Sequence, residues 1–137
     1  MADSFQPERL LVVRTHSAPG VVVLALSGEL DAGTTPKLAQ ATARVLAAEP
    51  RPEVLILDLS ELRFLSVAGV RQVRAAHDST GADRLRVVTG ERPVVRDFLR
   101  ATGFDAVLDC YRTRVGAIAA GSRADFVNRA EAVWNAG

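Results

Sequence analysis

The side chains of this chain that could do covalent chemistry are few. Ser66 stands where a helix is predicted to begin, but its neighbours Leu65 and Val67 do not form the Gly-x-Ser-x-Gly elbow of a hydrolase nucleophile. His77 falls on an apolar helical stripe, which is more typical of a packed residue than of a general base. The single cysteine, Cys110, is interpreted as an inert small hydrophobic side chain. We therefore predict that the chain has no catalytic residue and is not an enzyme.

Motifs for cofactors and metals are also missing from the sequence. One cysteine and two histidines are too few for a zinc site built from these residue types. Neither a Walker loop nor a dinucleotide fingerprint follows any predicted strand. Glu29 and Asp31 are predicted to point to opposite faces of an extended segment, which would make them a poor acid–base pair. We predict no cofactor and no metal.

Charge and composition exclude further classes of function. Seventeen Lys and Arg against sixteen Asp and Glu give a net charge of +1, without the basic excess that binding to a phosphate backbone requires. We therefore predict no direct binding to nucleic acid. The apolar run at residues 21–26 is too short to cross a bilayer, and residues 1–7 do not resemble a signal peptide. We expect a cytoplasmic protein without membrane insertion.

The spacing of apolar and turn-forming residues predicts strands that alternate with helices. Two β-branched runs, residues 9–15 and 20–27, flank a Ser-Ala-Pro-Gly turn and predict an antiparallel hairpin. The nearly continuous apolar run at 54–59 predicts a buried parallel strand beside the second strand of that hairpin. Further strands are predicted at 85–89 and, as a short edge strand, at 106–108.

Start signals for helices lie between these strands. Thr35 followed by proline predicts one helix, a second begins at or near Ser66, and a third begins at Pro93 and ends at Gly103. A last small helix covers residues 113–120. The positions of the last two helices predicted to face inward are Val94, Val95, Phe98, Leu99, Val115, Ile118 and Ala119. The whole predicts an α/β fold: a mixed sheet of four or five strands with helices mainly on one face.

The carboxyl end of the sequence has its own helix signal. A capping-box-like start at Ser122 precedes an apolar stripe that includes Phe126 and Trp134. We expect one domain over residues 1–121 and a helical tail over 122–137 that docks on it. A partner contact or a homodimer through the tail is the alternative.

Four short segments carry a family resemblance. They are Gly-Glu-Leu-Asp with Thr-Thr-Pro-Lys-Leu in residues 28–38, Val-Leu-Ile-Leu-Asp-Leu-Ser at 54–60, Arg-Phe-Leu-Ser-Val-Ala-Gly-Val at 63–70, and the helix and glycine cap at 95–104. In this order and spacing they resemble the STAS domain of bacterial anti-sigma factor antagonists. The resemblance implies an STAS-like fold and partner switching, in which the antagonist binds an anti-sigma factor kinase and frees a sigma factor. Phosphorylation of one serine ends that binding.

The phosphorylation site departs from the family pattern. The resemblance places the phosphoacceptor at Val67, which has no hydroxyl. Where the family has an aspartate just before the phosphoacceptor, this sequence has Ser66. Either the protein is locked in its unphosphorylated, binding-competent form, or Ser66 has become the acceptor one residue early. A one-residue shift at a helix cap changes the direction of the hydroxyl, which favours the first. A third interpretation is that Ser66 is only a helix cap.

The resemblance also implies where a partner binds. Asp31 matches a loop aspartate that faces the kinase, although a turn-forming role is the alternative. Arg71 and Arg74 are predicted to lie exposed on the helix, where they either help to select the partner or form a solvated face. The full set of predicted contacts is Asp31, Thr34, Ser66, Val67, Ala68, Gly69, Val70, Arg71 and Arg74.

A second function fits the same missing hydroxyl. In bacterial lipid-transport ABC systems a STAS subunit braces the ATPase and needs no phosphate cycle. Neighbouring genes for a permease and an ATPase would favour this alternative, and a neighbouring kinase or sigma factor gene would favour the regulatory function.

Overall fold

The computed structural model describes residues 9–81 and 84–120. Strands and helices alternate along the chain after an initial hairpin. The elements are β1 (Leu10–Ala18), β2 (Val21–Leu30), α1 (Thr35–Ala47), β3 (Val54–Leu65), α2 (Val67–Thr80), β4 (Leu85–Val88), α3 (Pro93–Thr102), a 3₁₀ turn (Phe104–Ala106), β5 (Cys110–Tyr111) and α4 (Arg114–Ala119).

The strands form one mixed sheet in the order β1-β2-β3-β4-β5. β1 is antiparallel to β2, and the other neighbouring strands are parallel. Because side chains alternate between the faces of a strand, β2 places Leu24 in the main core and Val23 in a smaller cluster. Helices α1 to α3 pack in the main core, while α4 covers the smaller cluster through Ala117. The predicted mixed sheet with helices mainly on one face is confirmed.

Both central strands are longer than the sequence predicts. β2 does not break at Gly28 but continues to Leu30. Gly28 has a φ of +103°, and a Cβ there would lie 2.1 Å from the carbonyl oxygen of Arg9, so glycine lets the hairpin strands approach. β3 runs to Leu65 instead of ending at residue 59, and its register against β2 shifts by one residue at two places. These bulges carry the strand directly into α2.

The predicted edge strand at 106–108 is wrong. The left-handed Gly103 (φ +79°) leads instead into the 3₁₀ turn at Phe104–Ala106, and the edge strand is the two-residue β5. Three helix positions predicted to face inward are also wrong, because Val94 is 39% exposed, Val115 is 77% exposed, and Ala119 is exposed as well. In α3, which begins at Pro93, the residues that face the core are Val95 and, one turn later, Leu99.

The helix predicted over residues 122–137, and its docking on the domain, lie outside the described residues. Of the helices that the structure does describe, none has the length and apolar character to cross a membrane.

Candidate partner-binding site at the start of α2

Ser66 caps the start of α2, as the sequence predicts. Its extended backbone (φ −101°, ψ 170°) turns the chain from β3 into the helix. Its side-chain Oγ accepts a hydrogen bond from the amide of Gly69 at 3.1 Å. That amide is one of the first N–H groups of the helix, which have no partner within the helix itself. The hydroxyl oxygen of Ser66 therefore has a structural role in the folded protein.

Close backbone contacts fix the start of α2 against the end of β2. The amide of Ser66 donates to the carbonyl oxygen of Leu30 at 3.0 Å. A Cβ atom on Gly69 would lie only 2.6 Å from the same oxygen. Glycine at this position therefore decides how closely α2 approaches β2. The loop of residues 31–34, which follows β2 directly, is held beside the helix start.

Exposed apolar side chains flank the cap of α2. Phe64, near the end of β3, is 48% exposed, and Val67, the first helical residue, is 44% exposed. By contrast Gly69 is buried, and Val70 is fully buried in the main core. The predicted partner contacts at Gly69 and Val70 are therefore corrected: both residues pack the helix against the sheet and offer no side-chain surface.

Asp31 organises the loop between β2 and α1. Its Oδ1 accepts hydrogen bonds from the amides of Gly33 (2.9 Å) and Thr34 (3.1 Å), and its Oδ2 pairs with Arg9. The same guanidinium contacts Glu29, with 3.2 Å between Arg9 Nε and Glu29 Oε1. Thr34 is nearly buried, and its hydroxyl donates to the Glu29 carbonyl at 2.9 Å. Asp31 thus has the turn-forming role, and Thr34 offers almost no surface to a partner.

The contact of both acids with Arg9 corrects the prediction for Glu29 and Asp31. The two carboxylates do not point to opposite faces, because residues two apart lie on the same face of an extended chain. Both carboxylates form ion pairs with Arg9, so neither is free to act as a general acid or base.

Arginines line the exposed flank of α2. Arg71 is exposed and has no hydrogen-bond or ion-pair partner among the residues that the structure describes. Arg74 Nε pairs with Asp78 Oδ1, one turn later, at 3.0 Å. Hydrogen bonds from Arg74 and then His77 lower the pKa of Asp78.

Two other predicted residues of α2 differ in burial. His77 is only 8% exposed, which confirms its interpretation as a packed helical residue. Ala68 is half-buried.

The described residues around this site offer few groups for covalent chemistry. Across the described ranges, 9–81 and 84–120, no three or more His, Cys, Asp or Glu side chains are grouped so as to hold a metal ion. Burial, followed by the charges of Asp105 and Asp109, raises the pKa of Cys110 to about 11. The thiol is therefore protonated at neutral pH and is a poor nucleophile. What the α2 start presents is two exposed apolar side chains, Phe64 and Val67, and the cation of Arg71, which has no partner within residues 9–81 and 84–120.

Sequence reasoning missed two residues of this site. Phe64 escaped notice because its exposure depends on the second bulge, where Gly28 faces Leu62 but Glu29 faces Phe64. Arg9 escaped notice because its acidic partners lie 20 and 22 residues away. The acids at positions 29 and 31 were the only local signal that a cation lies opposite them.

A model of the STAS domain family matches residues 13–117, which is most of the chain. The chain belongs to the STAS domain family. Among its relatives, the anti-sigma-F factor antagonist RsfB of Mycobacterium tuberculosis is 30% identical over 94 residues, covering 69% of this chain and 75% of RsfB. This STAS protein is therefore similar in sequence to a regulatory protein rather than to an enzyme.

Solved structures agree with this assignment. An anti-sigma factor antagonist from Mycobacterium paratuberculosis superposes with a TM-score of 0.74 at 31% identity, over 84% of this chain and 96% of that one. The unphosphorylated form of the anti-sigma factor antagonist SpoIIAA gives a TM-score of 0.58 at 19% identity, over 79% of this chain and 93% of SpoIIAA. That second likeness concerns the fold alone.

Proposed function

We propose that this STAS protein is a non-enzymatic regulator that binds an anti-sigma factor kinase through the start of α2, and that it does so without the usual phosphorylation of a serine. The names of its two relatives at about 30% identity support the class of partner. The exposed side chains of Phe64 and Val67, with Arg71 one turn further along α2, support the place of contact.

The observation that carries the proposal is the side chain of Val67. It occupies the position that the family resemblance assigns to the phosphorylated serine, it is 44% exposed, and it has no oxygen to receive a phosphate. A phosphate at a helix start would be stabilised by backbone N–H groups and would add about two negative charges to a contact surface. Without that group the usual release step is missing.

Ser66 is the remaining hydroxyl of the segment, and its environment argues against a replacement role. Its oxygen already accepts the Gly69 amide, so a kinase would have to remove the cap of α2 in order to modify it. Two of the predicted contacts act indirectly: Asp31 shapes the loop and Thr34 anchors it. Direct contacts are assigned to Val67, Ala68, Arg71 and Arg74.

Labelling with radioactive ATP in the presence of the anti-sigma factor kinases from the same genome tests the proposal. The unaltered protein should bind one of these kinases with ATP present and should remain unlabelled. Val67→Ser should become labelled and should then lose the complex. Val115→Ser, which introduces a hydroxyl at a more exposed position in α4, is the control and should stay unlabelled. Labelling of the unaltered protein on Ser66 would contradict the proposal.

A charge placed at the same position tests the contact surface separately. Val67→Asp should weaken the complex roughly tenfold or more, because it buries an unpaired carboxylate in the interface. Val115→Asp is the matched control and should leave the affinity unchanged. Equal affinity of the Val67→Asp and unaltered proteins would remove the α2 start from the interface.

The lipid-transport alternative rests on the same missing hydroxyl. It predicts co-purification with an ABC-type ATPase and no binding to any anti-sigma factor kinase. The names of the two relatives at about 30% identity favour the regulatory function.

A further inference from the structure

Three arginines converge on one cleft at the far edge of the sheet from β1. The cleft has a volume of about 180 Å³ and lies between α3 and β5. Arg96 and Arg100 reach it from successive turns of α3, and Arg112 reaches it from the residue after β5. Thr89, directly after β4, lines it as well. The carboxyl ends of parallel strands are the places where α/β sheets bind ligands.

The residues that the structure describes do not balance the positive charges in this cleft. Arg96 and Arg100 have no ion pair within the described part of the chain, and Arg112 has only a loose contact with Glu91, at 3.9 Å between exposed side chains. Like charges one helical turn apart repel each other, so this pair weakens α3 unless an anion joins them. By contrast, Arg9, Arg74 and Arg114 are each closely paired with a carboxylate.

We propose that this cleft binds a small phosphate monoester. The residues that line the cleft include three arginines and one acid, Asp105, which leaves two positive charges. A phosphate monoester carries about two negative charges at pH 7, whereas a carboxylate or a sulfate monoester carries one. Guanidinium groups bind phosphate through paired hydrogen bonds. Leu99 and Cys110, which also line the cleft and pack on the main-core side of the sheet, offer an apolar wall to the organic part of the ligand.

The proposal is independent of the function proposed for the start of α2. The cleft residues belong to α3, the 3₁₀ turn, β5 and the positions directly after β4 and β5, and none of them is assigned a contact with the kinase. The site can therefore be tested without any partner protein, and its failure would leave the proposed function untouched.

Titration of the protein with phenyl phosphate, followed by calorimetry and by amide chemical shifts, tests the site. Binding should saturate, and the largest shifts should fall at the amides of Thr89 and Arg112. Phenyl sulfate has the same shape with a single charge and should bind at least about tenfold more weakly. Absence of saturation at millimolar phenyl phosphate, or equal affinity for the two compounds, would overturn the proposal.

Substitution of the two helical arginines completes the test. Arg96→Gln together with Arg100→Gln should weaken phenyl phosphate binding about tenfold or more. Arg44→Gln removes an exposed arginine from α1, outside the cleft, and should leave binding unchanged. None of the substituted arginines is buried, so thermal unfolding should show a folded domain for both the double variant and the Arg44→Gln control. Equal weakening in the Arg44 control would mean unspecific charge attraction and would contradict the proposal.

Discussion

Gly69 lies so close to Leu30 that a Cβ atom on it would meet the Leu30 carbonyl oxygen at 2.6 Å. The first turn of α2 is thereby seated directly on the end of β2, and the Ser66 amide donates to the same oxygen at 3.0 Å. The surface around Val67 thus owes its position to a contact between two residues that are themselves inside the protein. A substitution at Gly69 should therefore shift the surface around Val67 although Gly69 itself is not part of that surface.

Gly69→Ala should destabilise the protein by roughly 1–3 kcal/mol, because the added methyl group must push α2 away from β2. Urea unfolding gives the free energy. The control is Gly33→Ala, at a glycine where a Cβ would meet its nearest neighbours at 3.4 Å, an ordinary contact. Similar losses for the two variants would contradict the close seating of α2.

Removal of the Ser66 hydroxyl should cost about 1 kcal/mol of stability, because the Gly69 amide then loses its cap. Ser66→Asp, which restores the residue that the family pattern has at this position, should recover most of the loss. Thr35→Ala is the comparison, since the Thr35 hydroxyl caps no amide and makes only an exposed hydrogen bond to the carbonyl oxygen of Ala32, at 3.1 Å. Thermal unfolding of the three variants measures the difference, and a Ser66→Ala protein as stable as the unaltered one would refute the capping role.

The elements that could be predicted from sequence are those with strong local signals. The start of α2 at Ser66 and the end of α3 at Gly103 follow from a capping hydroxyl and a left-handed glycine, and both are confirmed. The cap of α1 is different: Thr35 has the right residue type, but the N-cap position is Thr34, whose hydroxyl bonds Glu29 and Asp31 instead. A local sequence motif does not show that the backbone of a neighbouring loop takes the hydrogen bonds of the capping hydroxyl.

The features that could not be predicted depend on contacts between distant parts of the chain. The bulges of β3 exist only in its register against β2, and they decide that Phe64 is exposed. β5 is two residues long, too short for any alternation to show. The ion pair between Asp58 and Arg114 joins residues 56 positions apart.

That ion pair provides a third prediction. Arg114 Nε and Nη2 both donate to Asp58 Oδ2, at 3.1 and 2.8 Å, and the Asp58 side chain is only 8% exposed. Arg114→Met leaves a buried carboxylate with fewer donors and should cost roughly 1–3 kcal/mol. Arg74→Met breaks the exposed pair with Asp78 and should cost less than about 1 kcal/mol.

The double variant Asp58→Asn/Arg114→Met distinguishes a pair from two separate effects. Once Asp58 carries no charge, the loss of Arg114 should matter less, so the double variant should lose less stability than the sum of the two single variants. Simple addition of the two losses, measured by urea unfolding, would show that the residues do not stabilise each other.

The raised pKa of Cys110 makes stability depend on pH in the alkaline range. Burial, and then the charges of Asp105 and Asp109, raise this pKa from the usual 9.0 to about 11 in the folded protein. As the pH rises, the unfolded chain releases the thiol proton first. The resulting contribution to stability is complete below pH 9.0 and is lost progressively as the pH rises towards about 11.

Cys110→Ala removes this titration and keeps a small apolar side chain. The difference in unfolding free energy between the unaltered protein and the variant should be constant up to pH 9.0 and should shift against the unaltered protein above it. Groups common to both proteins cancel in the difference. A difference that stays constant up to pH 11 would mean that the thiol titrates in the folded protein as it does in the unfolded chain.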